Sequence, residues 1–186
     1  MKFRGLDRLT AWEAWRTAVG RKAVSFEEYC LRQGLGEPER LPESLVLQAA
    51  FDLANWLVML SSDYRLAGRP IGAEQVCFHR FLGPGQAMTV AVAVRERAAD
   101  RLIFDAVGRD GSREIFHCEA GEMELLPLPD LEDPDDRRTL FSEIFHPEGE
   151  AGACPAPRIQ PGSSRATTGE GSGRRTTSPL PEDRSP

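Results

Sequence analysis

Three polar side chains, Gln48, Asp52 and Asn55, interrupt an otherwise apolar run, and spacings of four and three place them on one face of a helix. A carboxylate set among apolar neighbours has its pKa raised, which fits it for work as a general base. The amides beside it can hydrogen-bond a carbonyl or a hydroxyl, but they have no ionisation in the accessible range and cannot exchange a proton. A polar stripe on a buried helix must be satisfied by a cavity, a partner or a ligand.

The remaining chemistry-bearing residues are less organised. His79 stands alone in a strand and reads as structural. His117 and Cys118 are neighbours in a strand, so their side chains point to opposite faces and make no metal pair. His146 lies at the edge of a polar tail. Cys30, Cys77, Cys118 and Cys154 show no CxxC spacing and read as free thiols of a reducing compartment. No serine sits in a nucleophile-elbow pattern, and Gly83-Pro84-Gly85 is a turn, since no GK[ST] follows it. Arg65, Arg69 and Arg80 could rim a site for a phosphate or an acidic carrier, although surface arginines need no such role.

The stripe belongs to the stretch 41–64, LPESLVLQAAFDLANWLVMLSSDY. Pro42 suits a first helical turn, where its missing N–H lacks a partner anyway, and Glu43 complements the positive end of the helix dipole. Apolar residues on most of the circumference predict a buried helix. Before it, residues 3–12 and 15–25 read as two strands joined by a turn. Ser25, with Glu28 at capping-box spacing, opens a short helix that Gly34 and Gly36 end.

After the helix come strands at 73–82, 87–97, 102–108 and 114–126, with Asp110-Gly111 as a hairpin turn. These are expected to form a four-stranded antiparallel meander around the helix, an α+β architecture. Residues 127–146 hold an acidic, proline-punctuated linker and a short amphipathic helix with Leu140, Phe141, Ile144 and Phe145 on its apolar face. Residues 147–186 are Gly, Ser, Thr, Pro and Arg with almost no large apolar groups, and they are expected to be a disordered tail.

The totals restrict the function classes. A 186-residue chain with 40% hydrophobic residues can bury one domain's core. A net charge of −6 argues against nucleic acid as the main partner. The polar residues within 41–64 argue against a membrane span, and the N-terminal residues lack a signal-peptide apolar region, so a cytoplasmic protein is expected.

Over residues 1–126 the pattern resembles the β-hydroxyacyl-acyl carrier protein dehydratases of the hotdog fold. EEYCLRQGLGEPERLPESLVLQAAFD is similar to that family's short helix, H-F-P-G-x-P loop and P-G-V-L-x-x-E-A-x-x-Q helix start. FHRFLGPGQAMTVAVAV is similar to its strand-turn-strand around F-x-x-P-V-x-P-G-D. The resemblance implies a curled antiparallel sheet around one long central helix and a dimer, formed with itself or with an active paralogue, whose sheets join edge to edge with sites between protomers. It implies acyl carrier protein or acyl-CoA as partner, and neither a cofactor nor a metal is expected.

The family's acid/base pair is a loop His and a helix carboxylate. By the same alignment these fall on Gln33 and Gln48, and the family's helix Gln, one turn on, falls on Asp52. Dehydration needs one group to remove a proton and another to protonate the leaving hydroxyl, and glutamine does neither. The loop is one residue longer than the pattern, and the first histidine of the chain is His79.

Three readings of the stripe stay open. In one the residues are structural, and the chain is a structural or interaction module. In another, Gln48 and Asp52 hydrogen-bond an acyl thioester of fatty-acid or polyketide metabolism without the usual dehydration, with Gln33 and Asn55 as further binding residues. In the third, Asp52 is a relocated catalytic carboxylate in a hotdog thioesterase or a divergent dehydratase. A turn is about 5.4 Å along the axis, so a carboxylate moved that far needs a reshaped pocket.

Overall fold

Residues 5–27, 30–31 and 38–147 are described by the computed structural model. Two strands, β1 (Arg8–Glu13) and β2 (Thr17–Ala23), form the first hairpin. Trp15 in its turn takes a positive φ of 56°, and its N–H donates to Ser61 Oγ at 2.8 Å, tying the hairpin to the helix end. Ser25 Oγ accepts from Glu27 N in a short turn. Glu28, Gln33 and the rest of the expected short helix lie outside the described residues, as do Cys154 and residues 148–186.

Helix α1 (Glu43–Ser61) is the centre of the domain, two residues shorter at its start and three at its end than the apolar run. Pro42 is the N-cap residue rather than the first helical one, and its carbonyl accepts from Leu45 N and Val46 N. Asp63 and Tyr64, at φ 52° and 57°, enter the left-handed region and end the helix. Ser62 then serves as a latch, its Oγ accepting from Leu66 N at 3.0 Å. By length and a mean hydropathy of 1.4, α1 would pass for a membrane span, but its apolar faces are spent in the core.

The sheet is built from β1, β2, β3 (Leu66–Phe78), β4 (Ala87–Arg97), β5 (Arg101–Asp110) and β6 (Arg113–Pro127), in the order β1-β2-β4-β5-β6-β3 and antiparallel throughout. Alternation does the packing. Met88, Val90 and Val92 of β4 and Leu102, Phe104 and Ala106 of β5 face α1, where Phe51 meets Phe104 edge-on at 5.2 Å between ring centres. The Asp110-Gly111 turn forms as expected, Gly111 taking φ 57°.

Two expectations for the sheet are corrected. The four later strands are not a sequential meander, because β3 pairs with β6 and not with β4. Residues 79–86 are a long connection around Gly83-Pro84-Gly85 rather than a tight hairpin, so β4 is free to pair with β2. β3 also begins at Leu66, seven residues before the expected start. Its Gly68, Arg69, Pro70 and Gly72 carry poor strand propensity, but β6 runs long enough to supply the ladder, and an edge strand tolerates proline.

The acidic stretch after β6 is largely exposed. Leu128 is buried in a 3-10 turn, Leu128–Asp130. Helix α2 (Pro134–Ile144) then carries Leu140, Phe141 and Ile144 of the expected amphipathic helix. Asp133 caps it by accepting from Asp135 N at 2.8 Å, Pro134 opens the first turn, and Asp135 and Asp136 meet the positive dipole end. Its apolar face lies on α1, with Phe141 against Trp56 and Ile144 in the core. Past its end, His146 N donates to Leu9 O, covering the outer edge of β1.

Candidate functional site

Asp52 projects from the middle of α1 and is half-buried. Gln48, one turn earlier, donates from Nε2 to Asp52 Oδ1 at 2.7 Å. The backbone N–H of Gly5 also reaches the carboxylate, and Arg137 of α2 adds a longer-range attraction. Burial outweighs these three influences and raises the Asp52 pKa above the ordinary carboxylate value. A carboxylate in that state, with an amide N–H beside it, can accept a proton from water while the amide polarises a carbonyl.

The sequence stripe divides in the structure. Gln48 and Asp52 meet, but Gln48 is exposed rather than buried. Asn55 is turned toward the sheet, where its Oδ1 accepts from Gly68 N of β3 at 2.8 Å. Its acceptor therefore holds the edge strand. Gln33 lies outside the described residues.

A cleft of about 360 Å³ at the C-terminal end of α1 is lined by Trp15, Ser61, Ser62, Arg65, Leu66 and Arg97. Ser61 is nine residues beyond Asp52, about 13 Å along the axis. Arg97 stacks on Trp15, its guanidinium carbon 3.5 Å from the ring centre, and Arg65 Nε donates to Ser62 O at 2.9 Å. Arg69 pairs instead with Glu124 across the β3–β6 ladder.

Two of the three histidines come together in the structure. Phe116 and Cys118 of β6 face the core, so His117 faces the outer side of the sheet, and there it meets His79 at 3.2 Å. His79 is thus not a lone strand histidine. Glu114 joins the pair at 3.0 Å from His117 and 3.4 Å from His79. Burial acts to raise the Glu114 carboxyl, but hydrogen bonds from His117 and Arg109 outweigh it and leave the pKa below the ordinary value. Separations of 35 and 38 residues hide the cluster from any local motif. Cys118 lies on the opposite face, where burial above all pushes its thiol up to about 11, so it is an inert core residue. Cys77 and Cys118 form no disulfide.

The sequence matches no family profile and no curated relative. Solved structures match in shape. A point variant of the fluoroacetyl-CoA-specific thioesterase FlK, in complex with fluoroacetate and CoA, aligns with a TM-score of 0.53 at 16% identity, over 65% of this chain and 100% of that one. Another FlK structure gives 0.51 at 15% identity, over 69% and 97%. A variant of the hypothetical protein SAV0944 from Staphylococcus aureus gives 0.51 at 10%, over 64% and 93%. At these identities the likeness is one of fold, and the fold is the hotdog fold: a curled antiparallel sheet around one long helix.

Proposed function

We propose that this hotdog domain binds acyl thioesters, carried on CoA or on an acyl carrier protein, and hydrolyses them with Asp52 as general base. The observation that carries the reading is the Asp52 carboxylate itself, half-buried on the central helix and held by Gln48 and the Gly5 backbone. In the reaction Asp52 takes a proton from water as the oxygen attacks the thioester carbonyl. The C–O bond forms, the C–S bond breaks, and the proton on Asp52 passes to the departing thiolate. Gln48 Nε2 carries a second N–H for the carbonyl oxygen on which charge develops. The FlK likeness supports the fold side of this reading.

The dehydratase resemblance supplies a second reading, a dehydratase-like binder that has lost the usual acid/base pair. What favours it is that Gln48, at the carboxylate position, is itself a donor to Asp52, while His79 and His117 lie across the sheet from the helix. Both readings include a cytoplasmic dimer joined through β3. That strand ends the sheet, and residues 69–75 along it are exposed, with Ile71 59% exposed. Pro70 and the register shift beside it interrupt the free edge, so such pairing is confined to parts of β3.

The test is release of free thiol from acyl-CoA and acyl-carrier thioesters of several chain lengths by the full chain, with Asp52→Asn in parallel. Turnover that Asp52→Asn abolishes while acyl-thioester binding persists supports hydrolysis through Asp52. Binding without turnover in the wild type selects the second reading, and absence of binding overturns both.

A further inference from the structure

We propose that His79, Glu114 and His117 form a zinc site on the outer face of the sheet. Their ligand atoms, His79 Nε2, His117 Nδ1 and Glu114 Oε1, form a triangle with sides of 3.2, 3.0 and 3.4 Å. A tetrahedral zinc ion held at about 2.0–2.1 Å by nitrogen and oxygen sets its ligands roughly 3.3 Å apart. The triangle thus has nearly the size of one face of that tetrahedron, and little movement is needed to seat the ion. Two imidazoles and one carboxylate suit zinc among the divalent cations, whereas magnesium and calcium favour all-oxygen shells.

A backbone irregularity makes the triangle. On a regular strand, Glu114 and His117 would point to opposite faces. The β5–β6 register shifts between Gly108 and Arg109, which face Phe116 and Glu114, so Ile115 is an extra residue in β6. This bulge turns Glu114 onto the same face as His117. The bulged residue also places the third ligand, because Ile115 O accepts from His79 N at 2.7 Å and from Arg80 N at 3.3 Å. The β3–β6 ladder brings His79 beside His117, and the bulge adds Glu114 to the pair.

Arg109 completes the arrangement. Its Nη2 lies 3.4 Å from Glu114 Oε2, fixing the carboxylate so that Oε1 is presented to the imidazoles. Its positive charge costs some affinity, so the site is weaker than a closed four-ligand zinc site. The side chains of His79, Glu114 and His117 retain 47%, 34% and 30% exposure, so water can reach the fourth position. Bound zinc would tie the C-terminal end of the edge strand β3 to β6, on the opposite side of the sheet from Asp52.

The experiment is calorimetric titration of the tag-free full chain with Zn2+ after chelator treatment. Co2+ titration follows the coordination geometry through its visible absorption. The expected result is saturation at one ion per chain, a tetrahedral cobalt spectrum, and a melting temperature that rises with excess zinc. His79→Ala and His117→Ala should each lose saturable binding and the zinc-dependent rise while melting cooperatively without metal. His146→Ala should bind as the wild type does. Failure of the wild type to saturate overturns the site, as does unchanged zinc binding by a folded His79→Ala/His117→Ala double variant.

Discussion

A Cβ placed on Gly5 would lie 1.8 Å from Oδ2 of Asp52. No side chain fits there, because the backbone before β1 is pressed directly onto the carboxylate. Gly5→Ala must therefore displace either the N-terminal segment or the Asp52 side chain, and with it the Gln48 hydrogen bond. We expect a stability loss of about 1–3 kcal/mol, typical of overpacking, together with reduced thioester turnover. Urea unfolding and thiol-release rates on the same preparation check both parts.

Asp52 links activity to stability in opposite senses. Its folded-state pKa is raised, chiefly by burial, so between the unfolded and folded values the native state binds more protons than the unfolded state. Stability from this group is full below the unfolded pKa and falls as pH rises through the folded one. Asp52→Asn should therefore be more stable than wild type at neutral pH, and the difference should close in acid. Wild-type turnover should rise with pH through the same raised pKa. Denaturant midpoints across pH, with a pH–rate profile, test the pair; a neutral-pH destabilisation by Asp52→Asn would contradict it.

Asn55 anchors β3 by accepting from Gly68 N. Asn55→Ala leaves that N–H without its acceptor, at a cost of about 1–3 kcal/mol. The loss should appear first as faster amide exchange at the start of β3, measurable by hydrogen–deuterium exchange, before global unfolding.

Asp105 holds a strained point in β6. Its Oδ1 accepts from Ala120 N at 3.0 Å, where Ala120 takes a positive φ of 47°. Arg95 grips the same carboxylate from Nε at 3.0 Å and Nη2 at 2.8 Å. Arg95 is 40% exposed, which weakens the ionic part, so Asp105→Ala is expected to cost about 2 kcal/mol, mostly for the unpaired backbone donor. Thermal melts should show this loss, and Asp105→Asn should recover part of it.

The sequence determined the central helix, most of the strands, the Asp110-Gly111 turn and the Gln48–Asp52 contact. Each follows from chemistry within a few residues: helical or alternating periodicity, turn preferences, and the four-residue spacing that stacks two side chains. It identified Asn55 as part of the same stripe, but the partner of its oxygen is 13 residues away on β3. Tertiary structure alone decided that β3 pairs with β6, that Gly5 seals one side of Asp52, that α2 lies on Trp56, and that His79 meets Glu114 and His117. Those relationships depend on strand order and on one extra residue in β6. Both are set by which long-range pairings close the sheet around the helix, a choice that no local window of residues contains.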